Sequence, residues 1–442
     1  MKRSILSGVL LVWIIQAVFS QSRREDIYSD YVLYQKRVML EKDLRERIIG
    51  RTFSMDLDSN SEDRYLSACW AISQFLFSSP EVDQGFSRLF AGYDSLSYDT
   101  RLAMLEAAYA VTPDRYTDQI ALLSTKETDP KLYAICAVYL YRHDTSTENS
   151  NALKIRMVER FPGYDTVPVL QELQDYLSYH TRYVHSKTPD IAALFAHQRN
   201  IGQKVIYSFQ RWDRDYPGLA IVQNADGRFV RDGQGRLQVF EQLARSGPDL
   251  PYFITNGSTP QGVYSIQGTE VSRTNFIGPT PNLQLLLPYE GSWMRYFHLP
   301  SVDTVQNGQG IQQAIDSMGL YNALLPSGWK DYTPMKEAWS AGKIGRTEII
   351  AHGTTIDPEY FKDKPFYPLT PTMGCLCAKE LWNPTTGHLL VSEQFNLVSA
   401  FLSTPGRQGY LFVVNVDDQH APVTRAEVEA LVKKWGVTSV SF

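Results

Sequence analysis

Val205-Ile206-Tyr207-Ser208-Phe209 and, a few residues on, Leu219-Ala220-Ile221-Val222 are the stretches on which the architecture turns. Val205, Tyr207 and Phe209 are bulky at every second position, the period of a pleated strand. The aliphatic run that follows is rich in residues that favour strands. Asp226-Gly227 and Asp232-Gly233, just downstream, are hairpin-turn pairs. Further strands are expected at 263–266, 283–287, 347–350 and 410–416, and helices at 309–318, 389–402 and 425–434. From about residue 200 to 442 the chain therefore reads as a β-rich α+β domain.

Upstream the period changes. Asp63-Arg64-Tyr65-Leu66, Asp99-Thr100-Arg101-Leu102 and Asp129-Pro130-Lys131-Leu132 open three similar segments, in which Ala71, Ala107 and Ala137 also correspond. Each Asp suits a helix N-cap, and Pro130 suits a first helical position. Their spacing is that of a two-helix repeat, and a small Ala at one place in each lets neighbouring helices approach. Residues 21–190 read as a helical domain, either a HEAT-like stack of hairpins or a non-repetitive bundle, with 179–200 as a hinge. This half holds no cluster of catalytic residue types and reads as a scaffold or a docking surface for a protein partner. Cys69 and Cys136, in apolar helical stretches, read as core residues or as one bridge.

Composition excludes several classes. With 442 residues, two or three domains are expected at roughly 150 residues each. Hydrophobic residues at 43% and charged residues at 21% rule out disorder. Lys+Arg 43 against Asp+Glu 48 leaves a net charge of −5, with no basic surplus to neutralise a phosphate backbone, so nucleic acid is not an expected partner. Lys2-Arg3, the apolar run Ile5 to Phe19 and Val18-Phe19-Ser20 together read as a cleaved signal peptide over 1–20. The run is shorter than the roughly 20 residues a spanning helix needs, an uncleaved anchor being the alternative. The mature chain is expected in the periplasm or cell envelope, without a transmembrane span.

The chemistry gathers in two places. Glu348-Ile349-Ile350-Ala351-His352-Gly353-Thr354 ends an apolar strand on a histidine, and Thr372-Met373-Gly374-Cys375-Leu376-Cys377 sets a thiol behind a glycine. Glycine there permits an unusual backbone and a close substrate approach. Successive amides around such a turn can converge on one oxygen. A free thiol, with pKa ~8.5, is mostly protonated at neutral pH. An imidazole that takes its proton makes the thiolate and later returns the proton to a leaving amine. Cys375 and His352 supply these two parts of an acyl-transfer site.

In this order, His352-Gly353-Thr354 and Thr372-Met373-Gly374-Cys375-Leu376 resemble the active-site signature of the L,D-transpeptidases, cysteine enzymes that cross-link peptidoglycan. Upstream, Ser258-Thr259-Pro260-Gln261-Gly262-Val263-Tyr264-Ser265-Ile266 is similar to that family's turn-and-strand, and Ile277-Gly278-Pro279 with 283–287 to the strand after it. The resemblance spans roughly 250 to 400, in the C-terminal half only. It implies a β-rich sandwich with the cysteine in a cleft. Cys375 would be the nucleophile and His352 the base, oriented by the Gly353 carbonyl. The amides of Gly374, Cys375 and Met373 would form an oxyanion hole. It implies peptidoglycan stem peptides as substrate, with acyl transfer to an amine or to water, and no cofactor or metal. Three departures stand out: a longer interval between His and Cys, with 360–364 as an inserted loop; Met373 where the family often has His; and Cys377 where it usually has Arg. Arg346 is a candidate to supply that charge. Thr372 and Trp382 are expected to border the substrate, Trp382 reading equally well as core, and Tyr360, Phe366 and Tyr367 as a lid.

Other readings of the same residues compete. His352, Cys375, Cys377 and His388 are the residue types of a zinc site. Cys375 and Cys377 are the makings of a strained redox pair. A buried, inert Cys375 is the plainest alternative. A catalytically inactive protein that binds wall peptides is the rival of a different class.

Overall fold

The computed structural model describes residues 23–299 and 316–438. The expected signal segment and most of the expected helix 309–318 lie outside these residues, and the helix described there runs Ser317–Ala323. The helical half consists of α1 (Tyr34–Lys42), continued by a π-helical stretch to Arg51, then α2 (Glu62–Phe75), α3 (Pro80–Gly92), α4 (Tyr98–Val111) and α5 (Thr117–Lys126). It goes on through α6 (Pro130–His143), α7 (Thr147–Arg160), α8 (Pro168–Val184) and α9 (Ile191–Asn200). Pro130 opens α6 behind Asp129, whose carboxylate accepts from the amides of Lys131 and Leu132. Asp63 and Asp99 are not caps. Their helices begin one residue before them, at Glu62 and Tyr98, behind Ser61 and Ser97, and Ser97 Oγ accepts from the Thr100 amide. Both acids sit in the first turn, where the helix dipole favours negative charge.

α2 packs on α4, α4 on α6 and α6 on α8, so equivalent helices of successive hairpins lie side by side. Ala71, Ala107 and Ala137 are fully enclosed, which is what close approach at the same place in each repeat requires. Cys69 and Cys136 are free and buried, so they are core residues and not a bridge.

In the second half, β1 (Val205–Gln210), β2 (Gly218–Gln223), β3 (Phe240–Leu243), β4 (Gly262–Glu270), β5 (Asn282–Leu286), β6 (Ala351–His352), β7 (Leu376–Ala378) and β10 (Gly409–Asn415) form one sheet. Its order is β1-β10-β4-β5-β6-β7-β3-β2. Because β1 pairs with β10 on one side and β2 on the other, the sheet closes into a mixed barrel, where the resemblance implied a sandwich. β8 (Glu380–Trp382) and β9 (Leu389–Ser392) form a separate hairpin.

Val205, Tyr207 and Phe209 pack under α9, while Ile206 on the other face joins Ala220, Tyr264 and Leu411. Both faces are covered, so the strand is buried along its whole length. The strand expected at 347–350 lies instead at Ala351–His352, because Glu348 takes a left-handed φ of 60° that no strand accommodates. Residues 389–392 are strand, and the helix expected there starts at Glu393, capped by Ser392 Oγ on the Phe395 amide.

The two halves share a core. Phe75, Tyr65 and Leu170 of the helices belong to one apolar cluster with Leu250, Phe253, Ile356, Phe361 and Phe366. The segment expected as hinge is packed: Thr188 Oγ1 donates to the Asn415 carbonyl at 2.7 Å, and Gln198 Nε2 to that of Leu324 at 2.6 Å. The residues read as a lid are a strap onto the helices. Tyr360 meets the rings of Phe75 and Phe77 edge-on, at 5.0 and 5.7 Å, and Phe366 is enclosed. Tyr367 stays exposed, its hydroxyl donating to Glu359 at 2.8 Å. At the other end Ile27 and Val32 pack on Trp382 and Leu389.

Candidate active site

β6 and β7 run parallel, with Ala351 opposite Leu376 and His352 opposite Cys377. Side chains alternate along a strand, so His352 and Cys377 share one face, while Cys375 sits in the bend just before β7. Cys375 is partly exposed, whereas Cys377 is buried and His352 is 5% exposed. The Cys375 sulfur is turned to the backbone before β6: it accepts from the Ile350 amide at 3.5 Å and donates to the Glu348 carbonyl at 3.5 Å. No hydrogen bond joins it to the imidazole in this rotamer.

The turn that carries Cys375 is braced on every side. Gly374 has φ 115°, and a Cβ there would run into the Arg346 guanidinium and the Gly257 carbonyl, so only glycine fits. Thr372 Oγ1 accepts from the Gly374 amide at 3.1 Å and donates to the Cys375 carbonyl at 2.9 Å. The Gly374 amide is therefore spent inside the turn and is withdrawn from the expected oxyanion hole. Among the described residues the amides of Met373 and Cys375 have no protein acceptor. Arg346 lies beneath, donating to the carbonyls of Tyr252, Gly257 at 2.8 Å and Ser258 at 3.1 Å. Its donors are committed to the framework, so it offers the thiol a positive charge and the substrate no direct hydrogen bond from these nitrogens.

His352 is held in one tautomer. Its Nδ1 lies 2.5 Å from the Gly353 carbonyl. A carbonyl can only accept, so Nδ1 carries the proton and Nε2 is the basic nitrogen. The backbone that follows is fixed in turn: the Thr354 amide donates to Glu380 Oε2 at 2.8 Å, and Trp382 Nε1 donates to the Thr354 carbonyl at 2.8 Å. Trp382, 6% exposed, is thus a core residue that orients this loop.

Burial sets the protonation states. It lowers His352 to about 4, against the pull of the Gly353 carbonyl. It raises the Cys375 thiol to about 11; the Ile350 amide and Arg346 oppose this, and Glu348 and Glu290 add to it. Near neutral pH the pair is thus thiol plus neutral imidazole, and because the proton strongly favours sulfur it can move to the ring only in step with attack.

Among the described residues no group of three or more His, Cys, Asp or Glu side chains is placed to hold a metal ion. His388 is turned to the Tyr28 ring, 5.6 Å away. Cys375 and Cys377 are both free thiols. Sequence reasoning left Thr259 and Glu380 without roles. Thr259 stands in the turn before β4 and donates through Oγ1 to the Gly374 carbonyl at 2.9 Å. Nothing in the sequence marks Glu380, whose environment depends on strand pairing. No protein-family model matches the chain, and neither a curated protein nor a solved structure does.

Proposed function

We propose that the chain is an exported cysteine acyl-transferase of the L,D-transpeptidase type, acting on peptidoglycan stem peptides in the periplasm or cell envelope. One observation carries this reading. A thiol in the bend that opens β7, beside two amides without a protein acceptor, adjoins the parallel strand that ends on a histidine with its base nitrogen free. The mechanism requires Cys375 to rotate about χ1 so that its sulfur leaves Glu348 for His352. Nε2 takes the Sγ proton as sulfur bonds to the substrate carbonyl carbon, and the amides of Met373 and Cys375 donate to the oxyanion. The C–N bond then breaks, and the imidazolium returns its proton to the departing amine of D-Ala. An amine of a second stem, or water, releases the acyl group from sulfur by the reverse sequence. The helical half serves as a scaffold or as a docking surface for a protein partner.

The sulfur's bond to Glu348 and its raised pKa favour one alternative, an inactive wall-peptide-binding protein. A single experiment separates the two. Purified protein is incubated with a carbapenem and weighed intact. An adduct on the wild type and none on Cys375→Ala is the expected result. Reduced, folded wild type that gains no mass would sink the enzymatic reading and leave the binding one.

A further inference from the structure

The peptide unit between Gly353 and Thr354 is gripped at both ends. Its carbonyl accepts from His352 Nδ1 at 2.5 Å, and its amide donates to Glu380 Oε2 at 2.8 Å. The second oxygen of Glu380 accepts from Ser392 Oγ at 2.5 Å, and Glu380 and Ser392 face each other across the β8–β9 hairpin. Glu380 is 2% exposed, and no Lys, Arg or His among the described residues forms an ion pair with it. A Cβ on Gly353 would collide with its carboxyl group, so the acid lies directly against the residue whose carbonyl holds the ring. Burial without a cation raises the Glu380 carboxyl to about 7, against the pull of its hydrogen bonds from Ser392 and the Thr354 amide, so near neutral pH it carries its charge in part.

We propose that Glu380 is the positioning residue of this site, acting on His352 through the Gly353–Thr354 peptide, whose amide it binds and whose carbonyl binds the ring. The catalytic consequence rests on the acyl-transfer reading above. An amide whose N–H is bound by a carboxyl oxygen is polarised, and its carbonyl becomes the stronger acceptor. The ring is thereby held as the Nδ1–H tautomer, with Nε2 as the base. The imidazolium that forms when Nε2 takes the Cys375 proton is stabilised from the far side. The relation is that of the acid in a Ser-His-Asp triad, with one peptide unit inserted between acid and ring. No proton passes to Glu380. The Nδ1 proton stays on Nδ1 throughout, and only Nε2 gains and loses one.

The test uses the full chain with Glu380→Gln, which keeps the side-chain shape and one acceptor oxygen for the Thr354 amide but removes the charge and the second acceptor, and Glu380→Ala, which removes the acceptors altogether. Proton–nitrogen NMR of the histidine rings is expected to show His352 protonated at Nδ1 in the wild type. Its ring-nitrogen shifts should move in Glu380→Gln, and the tautomers should mix in Glu380→Ala. Carbapenem acylation of Cys375, read by intact mass, is expected to slow about tenfold in Glu380→Gln and further in Glu380→Ala. In a His352→Ala background neither change should slow it again, because Glu380 acts through the ring. A wild-type ring protonated at Nε2, a Gln variant acylated at the wild-type rate, or full slowing that persists without His352 each overturns the proposal. If no variant forms an adduct while the ring shifts still respond to Glu380, the acyl-transfer reading falls and the positioning role stands.

Discussion

Thr259 Oγ1 donates to the carbonyl of Gly374 at 2.9 Å, tying the turn before β4 to the turn that presents Cys375. Two segments far apart in the chain thus meet in one hydrogen bond beside the thiol. Thr259→Val keeps the shape and leaves the Gly374 carbonyl without this buried donor, at a cost of about 1–3 kcal/mol. The expected outcome is a lower urea midpoint with an unchanged slope, together with slower carbapenem acylation. Unchanged stability would show that the bond is dispensable.

Gly374→Ala attacks the same turn from within. At φ 115° any Cβ is strained, and here it also meets Arg346. A destabilisation of roughly 1–3 kcal/mol is expected from the backbone alone, with the collision adding to it. Acylation should fall far more than stability, because the turn is displaced relative to β6. Equal midpoints for variant and wild type in chemical denaturation would contradict the turn geometry.

The protonation states predict an unusual pair of pH profiles. A thiol raised to about 11 is almost wholly protonated at pH 7. Iodoacetamide should therefore alkylate Cys375 about 300-fold more slowly than a free cysteine of pKa ~8.5, as its thiolate fraction dictates, and about tenfold faster for each pH unit gained up to pH 9. The other three cysteines are buried, so the labelled peptide reports Cys375. His352, lowered to about 4, keeps its neutral base form as the pH falls through 6.5. His352 should then add no limb to carbapenem acylation between pH 6 and pH 8.5, and a modest rise centred near 7 is expected as Glu380, raised to about 7 by burial, gains its charge. A falling limb centred near 6.5 that persists in Glu380→Gln would mean a solvated imidazole.

Phe361 is 1% exposed and lies in the cluster shared by the helices and the strap that follows His352. Phe361→Ala should cost about 3–5 kcal/mol. Because the core is common, helical circular dichroism and tryptophan fluorescence should be lost together in both wild type and variant. Two separated transitions would show that the halves fold independently.

Much of this architecture was legible from local pattern. The alternation of Val205, Tyr207 and Phe209, the Asp129-Pro130 helix start and the repeated alanines each depend on residues a few positions apart, and the helical and β-rich halves followed from them. Local pattern also misled where a nearby residue competed. Ser61 and Ser97 start their helices ahead of Asp63 and Asp99, and the left-handed Glu348 displaces the expected strand to Ala351–His352.

The candidate site divides along the same line. Its participants, a histidine ending an apolar run and a cysteine behind glycine, could be named from the sequence because strand ends and glycine turns have local stereochemistry. Their relation could not. The parallel register of β6 and β7, the commitment of Arg346 to three carbonyls and the placing of Glu380 under Gly353 are contacts between residues remote in the chain. The sequence by itself determined that a helical half precedes a β-rich one, because backbone preference and apolar period act over a few residues. Only the tertiary structure decided that the sheet closes into a barrel, that both halves bury one core and which groups surround the sulfur and the ring, because those outcomes depend on distant surfaces excluding water together.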